Sequence, residues 1–401
     1  NGVLTVKLVF ISNYISHHQK PFCDAMKQKI GKNFIFMETM PMEKERLDMG
    51  WEPIRENYVF RTYEGNESEK KAKKIAVDAE IVILGSASDN YIIPRLKTKK
   101  LTFKYAERFY KTGLTLRNLP HAAAGAWLHH GRFQRYPLYM LCASAYTPAD
   151  AAIFHNYVGR TYKWGYFPEV KRYDVAELME KKQSAASVGE EHSRISILWA
   201  GRLIGWKHPE AAVQLAASLK EKGYSFRMSM IGNGEMEMQL HDMIREKGLE
   251  DCVEMLGAMP PEEVRRHMEK ADIYLFTSDF NEGWGAVLNE SMNSGCAVVA
   301  SHAIGSVPFL IKNGENGLIY ENGNQLDLEK QVLRLLEDGA FRKKIAENAY
   351  ETMINLWNAE TAAERFLTLA EKLLKNENTD SLFLDGPCSK AAILKNDWYQ
   401  H

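Results

Sequence analysis

Two acids and two cations, far apart along the chain, are the residues whose types and spacing point to chemistry. Glu282 and Glu290 fall in Ser278-Asp-Phe-Asn-Glu-Gly-Trp-Gly-Ala-Val-Leu-Asn-Glu-Ser291, after a short apolar run and at the start of an amphipathic one. That pattern predicts a strand, a glycine-bearing loop and a helix. Gly283 and Gly285 let a ligand approach the backbone, and the free amides that open a helix, here about Trp284 to Ala286, attract an anion. Eight residues of helix rise about 12 Å, whereas the two carboxylates of a glycoside hydrolase lie roughly 5 to 10 Å apart across one bond. Acids so spaced suit a ligand with a hydroxyl-rich ring at each end and a diphosphate between. The plainer alternative is a turn carrying two solvated acids.

The cations stand in Ala200-Gly-Arg-Leu-Ile-Gly-Trp-Lys-His-Pro209, after another apolar run. Arg202 offers a rigid fork to phosphate oxygens and Lys207 a mobile point charge, just before a helix whose Pro209 suits the first turn. Together they would neutralise a departing diphosphate. No Asp-x-Asp pair occurs in a plausible loop, so no divalent metal is expected. Taken alone, both cations read as surface charges. Gly232-Asn233-Gly234 forms a third strand-to-helix turn; its weight comes from its place, at the same sheet edge as the other two.

These loops require a scaffold, and the chain supplies two. Residues 195–374 alternate short apolar runs (195–200, 226–231, 253–256, 273–276, 297–300, 317–320) with amphipathic stretches (209–222, 235–247, 261–270, 286–293, 326–336). Such alternation predicts an α/β domain whose parallel sheet binds ligands at the carboxyl ends of its strands. The first half opens in the same way, with strands expected at 5–11, 34–38, 58–62, 81–85 and 101–106 and a helix near 19–28. Its stretch 114–167 is less regular and richer in aromatics. The polar run 181–193 reads as a linker.

At 401 residues, 45% hydrophobic and 26% charged, the chain has room for two cores. No apolar run approaches the roughly 20 residues that span a bilayer, and the opening Asn-Gly-Val-Leu lacks a leader pattern. Five scattered cysteines favour a reducing cytoplasm over a zinc cluster. Net charge is −1, but residues 1–192 hold 29 Lys and Arg against 21 Asp and Glu, while the remainder holds 22 against 31. Residues 91–135 contain ten basic residues and one acid, Glu107. A field of that sign attracts anionic lipid or an anionic acceptor; an ordinary solvated face is the alternative. Nucleic acid is not expected, because no binding motif accompanies the patch.

The ordered series Gly201-Arg202 with Lys207, Gly232-Asn233-Gly234, Leu256-Gly257, and Glu282 to Glu290 resembles the donor-binding half of glycosyltransferase family 4. The resemblance covers about 195–374. It implies the GT-B fold, two Rossmann-like domains facing each other across a deep cleft, and a retaining, metal-independent transferase with no cofactor. It further implies an N-terminal acceptor domain at 1–185, a donor domain at 193–378, and a terminal segment 380–401 that packs back on the first domain. In that pattern Arg202 and Lys207 bind the donor diphosphate and Glu290 the ribose hydroxyls. Glu282 and the amides of Gly283, Trp284, Gly285 and Ala286 meet the transferred sugar, while Leu256 and Gly257 lie near the base. The expected partners are a nucleotide sugar (UDP- or GDP-linked), a saccharide or lipid-linked acceptor, and an anionic membrane surface on the cytoplasmic side. A biosynthetic role in surface polysaccharide or glycolipid follows as an expectation. Two rivals use the same scaffold: a nucleotide-sugar epimerase, which needs no acceptor, and a non-catalytic sugar-nucleotide sensor.

The first half departs from the family. Its loop Ser12-Asn-Tyr-Ile-Ser-His-His18 lacks the paired glycines, yet His17 and His18 occupy the strand-to-helix position. Glu107 and Arg108 follow the run 101–106. His18, Glu107, His17 and Arg108 are the candidates on the acceptor side, with a helix-capping or surface role as the alternative for His18; His121, His129 and His130 read as structural.

Overall fold

The computed structural model describes residues 6–44, 47, 52–65, 67–185, 194–395 and 397–400. It divides into two compact α/β units: residues 1–169 with 358–394, and 170–357 with 395–401.

The first unit holds seven strands, β1 (Leu8–Ser12), β2 (Phe34–Glu38), β3 (Val59–Arg61), β4 (Ile81–Leu84), β5 (Thr102–Ala106), β6 (Leu138–Cys142) and β7 (Thr161–Lys163). All pairings are parallel, in the order β3-β2-β1-β4-β5-β6-β7. Every residue of β1 and β4 is buried, which is what a parallel strand covered on both faces requires. The five expected strands are present, and β6 and β7 are additions. Leu138–Cys142 is an apolar run following Pro137 and preceding the turn at Ser144, a signal hidden by the aromatics around it.

The helix Ala359–Leu374 belongs to this unit rather than to the second. Its Phe366 is fully buried and meets Phe22, Phe103 and Trp164 at ring-centroid distances of 6.4, 5.0 and 5.8 Å. Each such ring stabilises by about 1.5 to 3 kcal/mol on burial. Beyond it, the backbones of Cys388 to Ala391 pair with Thr161 and Lys163 along the edge of β7. Tyr399, by contrast, stacks on His302 at 4.0 Å within the second unit. The division therefore runs differently from the expected 1–185, 193–378 and 380–401. Amphipathic periodicity identifies a helix but not the sheet it covers.

The second unit contains β8 (Ile195–Ala200), β9 (Phe226–Ile231), β10 (Val253–Gly257), β11 (Ile273–Phe276), β12 (Ala297–Ser301) and β13 (Leu318–Tyr320). They form a wholly parallel sheet in the order β10-β9-β8-β11-β12-β13. All six match the expected runs to within one residue. The helix Val175–Ala185 occupies the start of the expected linker, so the chain is not irregular from 181; residues 186–193 lie outside the described residues. Neighbouring strands order outward on both sides of the β8–β11 pair. That reversal leaves a crevice at their carboxyl ends, where the loops after β8 and β11 meet.

Candidate functional site

In the second unit the loop after β8 turns through a short 3-10 segment, Gly205–Lys207, into the helix Pro209–Glu221, with Pro209 at its first turn. The loop after β11 is tied to it. Thr277 Oγ1 donates to the Lys207 carbonyl at 2.7 Å and accepts from Trp199 Nε1 at 2.8 Å, and the Asp279 amide donates to the Trp206 carbonyl at 3.0 Å. So anchored, Lys207 Nζ lies 2.5 Å from Glu282 Oε2, and both side chains are only about an eighth exposed. Ser278 Oγ donates to the same carboxylate oxygen at 3.0 Å. The ammonium also sits 4.7 Å from the Trp206 ring and 5.9 Å from that of Phe276. Arg202 is exposed, its guanidinium 5.8 Å from the Trp206 ring. Its fork is thus presented at the mouth of the loop, while Lys207 is held deeper by a carboxylate, a hydroxyl-bearing loop and two aromatic faces.

The glycines have distinct work. Gly232 has φ +140°, and a Cβ there would meet the Gly201 carbonyl oxygen at 1.8 Å. Only glycine lets the turn 232–234 dock on the Arg202 loop, where the Leu203 amide donates to the Asn233 carbonyl at 2.8 Å and the Gly232 amide to the Gly257 carbonyl at 2.9 Å. At Gly285, φ is +79° and a Cβ would run into the Phe276 ring at 2.4 Å. Gly201, Gly232, Asn233, Gly234, Leu256, Gly257, Gly283 and Gly285 all lie at or beside the carboxyl ends of β8 to β11, as expected.

The helix after this loop spans only Val287–Asn293. The interval from Glu282 to Glu290 is therefore half loop, and the helical rise of 12 Å does not apply to it. Tyr274 Oη donates to the Ala200 carbonyl at 3.0 Å, and burial raises its phenol well above the ordinary value, with smaller contributions from the Glu290 and Glu282 carboxylates. Glu290 is half-buried, and burial pushes its carboxyl up to about 7 against the pull of the Arg265 guanidinium. The side chain of Trp284 is fully buried; its Nε1 donates to Asn289 Oδ1 at 2.9 Å and its ring faces Trp357 and Phe309. Its indole is core, so any contact to a ligand falls to the backbone. Ala286 is likewise buried.

Residues that the motif series did not single out complete the arrangement. Thr277, Ser278 and Trp206 position the ion pair, and Tyr274 ties its strand to the end of β8 through the Ala200 carbonyl. His208, in the left-handed region at φ +49°, bonds through Nδ1 to Glu210 at 2.8 Å and faces Asp279 at 3.5 Å. The bonded Glu210 carboxylate raises its imidazole above the ordinary value, with Asp279 adding to the rise and burial opposing it. Trp206 and Ser278 stood inside the quoted segments, whereas Tyr274 reaches the site only through the fold.

In the first unit the acceptor-side candidates divide into two sets. His18 stacks on Tyr166 (5.8 Å, interplanar 6°) and meets the His17 ring at a tilt (3.8 Å, 53°), and Tyr166 Oη donates to Glu107 Oε1 at 2.7 Å. Glu107 is further paired with Lys111 at 2.7 Å. His17, His18, Tyr166 and Glu107 thus form one chain at the ends of β1 and β5. Arg108 turns away, into an ion pair with Asp150 at 3.2 Å whose carboxylate also caps the amides of Phe109 and Tyr110. That geometry gives Arg108 a loop-fixing role. The helix Leu119–His129 leaves Leu119, Trp127 and Leu128 exposed, and Leu116 just before it is 92% exposed. Among the described residues no helix is long and apolar enough to cross a membrane.

Residues 180–352 match the family model described as glycosyl transferases group 1. The amylovoran biosynthesis glycosyltransferase AmsK of Erwinia amylovora is 31% identical over 187 residues, 45% of this chain and 46% of that protein. The putative colanic acid biosynthesis glycosyltransferase WcaL of Salmonella typhimurium is 30% identical over 201 residues, 45% and 48% of the two chains. The matches thus span about half the length of these curated relatives. Among solved structures, Anabaena HepE in complex with UDP superimposes with a TM-score of 0.65 at 16% identity, over 92% of this chain and 100% of that one. WaaG, a glycosyltransferase involved in lipopolysaccharide biosynthesis, gives 0.58 at 14%, over 90% and 99%. At such identities the likeness is one of fold: each unit is a Rossmann-like layer of the GT-B class.

Proposed function

We propose that the chain, whose residues 180–352 match the family model described as glycosyl transferases group 1, transfers a sugar from a nucleotide-diphosphate donor to a saccharide or lipid-linked acceptor, with retention of anomeric configuration. The second unit binds the donor and the first the acceptor. The observation that carries the reading is the ion pair of Lys207 with Glu282, set at the carboxyl edge of a parallel sheet beside the exposed Arg202. Lys207 has three N–H donors and spends one on Glu282, so the others remain for phosphate oxygens. Arg202 adds a bidentate fork. Charge supplied by side chains makes a divalent metal or other cofactor unnecessary for the departure of the diphosphate. Glu282 fixes the ammonium and offers a carboxylate to sugar hydroxyls, and Glu290 takes the ribose.

In the mechanism proposed, the departing diphosphate removes the acceptor proton on the same face of the sugar, and stabilisation of the developing phosphate charge is the largest contribution. The names of AmsK and WcaL support a role in polysaccharide biosynthesis, and the UDP bound to HepE supports a uridine donor over a guanosine one. We place the protein in the cytoplasm, peripherally on the membrane's inner face. Its free, buried cysteines and the exposed Trp127 among basic residues fit that site. A thermal-shift screen against nucleotide sugars tests the reading, because a ligand bound only by the folded state raises its melting temperature. A rise with a UDP- or GDP-sugar is expected; a flat response across the panel overturns the proposal.

A further inference from the structure

A cavity of ≈480 Å³ opens at the carboxyl ends of β4 and β5 in the first unit, within the range typical of small-molecule sites. Its charges do not balance. Lys104 is 7% exposed, its ammonium held by Asp89 Oδ1 at 2.5 Å and by the His129 carbonyl at 2.7 Å. Asp89 spends its other oxygen on His129 Nδ1 at 2.9 Å. The half-buried Arg132 lines the same cavity, with its guanidinium 4.5 Å from the Phe133 ring. Its Nε is buried with no hydrogen-bond partner among the described residues. His130 adds no charge, since burial and the neighbouring Lys104 push its imidazole down to about 3, and its Nδ1 is bonded to Tyr157 Oη at 2.9 Å. One carboxylate therefore faces two basic side chains, and burial together with the Arg132 charge lowers the Lys104 ammonium despite Asp89. An unfilled donor and an excess positive charge, in a cavity walled by two strands, call for an anion.

We propose that Lys104 and Arg132 form a subsite for an anionic group, carboxylate or phosphate, carried by the acceptor. The assignment rests on the reading of the first unit as the acceptor-binding one. Of the three histidines that sequence analysis treated as structural, His129 stands at this subsite through Asp89, and His130 stays a neutral wall.

The test is calorimetric titration of the full chain, saturated with UDP to occupy the donor site, with inorganic phosphate, a methyl glucuronide and a methyl glucoside. Binding of phosphate, of the glucuronide or of both is expected, with the neutral glucoside at least tenfold weaker. Arg132→Gln is expected to weaken the anion at least tenfold while UDP affinity stays at the parent value. Lys104→Met, which strands Asp89, is a harsher variant, and the conclusion does not depend on its folding. Equal binding of the glucoside, absence of both anions, or unchanged affinity in Arg132→Gln would overturn the subsite. Absence of UDP binding in the parent, with anion binding retained, would instead sink the donor reading alone.

Discussion

Lys207 and Glu282, 75 residues apart in sequence, meet at 2.5 Å between the loops that follow β8 and β11. The pair links the only two strands of the second sheet from which its order runs outward, so it marks the crevice as well as lining it. Removal of the cation leaves Glu282 without its ionic partner and, in the mechanism proposed, deprives the leaving diphosphate of a charge. Lys207→Ala is therefore expected to lower turnover about 100- to 1000-fold, the range for losing one preorganised electrostatic group, while the circular dichroism spectrum is unchanged. Transfer near the parent rate would remove Lys207 from the mechanism.

Gly232 admits the close approach of two loop backbones. A methyl group at this position meets a carbonyl oxygen at 1.8 Å in a left-handed conformation, and strain of this kind costs about 1 to 3 kcal/mol before any clash is counted. Gly232→Ala is expected to lower the melting temperature by several degrees and to abolish nucleotide binding. A variant with the parent's melting temperature would show that the loops do not pack this way.

Burial raises the Glu290 carboxyl to about 7, whereas an exposed glutamate ionises near 4.3. Between those values the folded chain keeps a proton that the unfolded chain has released. The group's contribution to stability is full below about pH 4 and is lost as pH rises through 7. Glu290→Gln stays uncharged throughout, so its melting temperature should exceed the parent's by a margin that widens from pH 5 to pH 8. A margin independent of pH contradicts the assignment.

Phe366 sits at 0% exposure among Phe22, Phe103 and Trp164. Phe366→Ala is expected to cost about 3 to 5 kcal/mol, the range for deleting a buried ring. Because the helix covers the first unit, unfolding of that unit, reported by its buried Trp164, should shift while UDP still protects the second. Loss of UDP binding at temperatures where the second unit stays folded would place the helix elsewhere.

The exposed Leu116, Leu119, Trp127 and Leu128 lie in a segment that contains Arg117 and is flanked by Lys111, Arg132 and Arg135. Anionic vesicles should therefore bind the chain at low salt and release it as ionic strength rises. Trp127→Ala should weaken the association, and absence of binding at low salt removes the membrane from the account.

How much of this was legible follows from what each signal encodes. Apolar runs separated by amphipathic ones identified all six strands of the second sheet, and glycine-bearing turns put Arg202, Lys207 and Glu282 at one edge of it. Periodicity does not report which sheet a helix covers, and so Ala359–Leu374 was assigned to the wrong unit. Hydrophobic pattern alone also missed β6 and β7, whose short runs lie among aromatics that read equally as loop or helix. Tyr274 and Arg265 were invisible as site residues because each looks like ordinary strand or helix filling until the chain folds. Trp284 illustrates the converse, a residue placed in the right loop whose side chain packs into the core.

The central claim is that the Lys207 ammonium holds the donor diphosphate, and titration of UDP against uridine, and of GDP against guanosine, measures it without any acceptor. The parent should bind one diphosphate at least 100-fold more tightly than its nucleoside, and Lys207→Ala should reduce that ratio at least tenfold while leaving nucleoside affinity unchanged. An identical ratio in parent and variant would contradict the account.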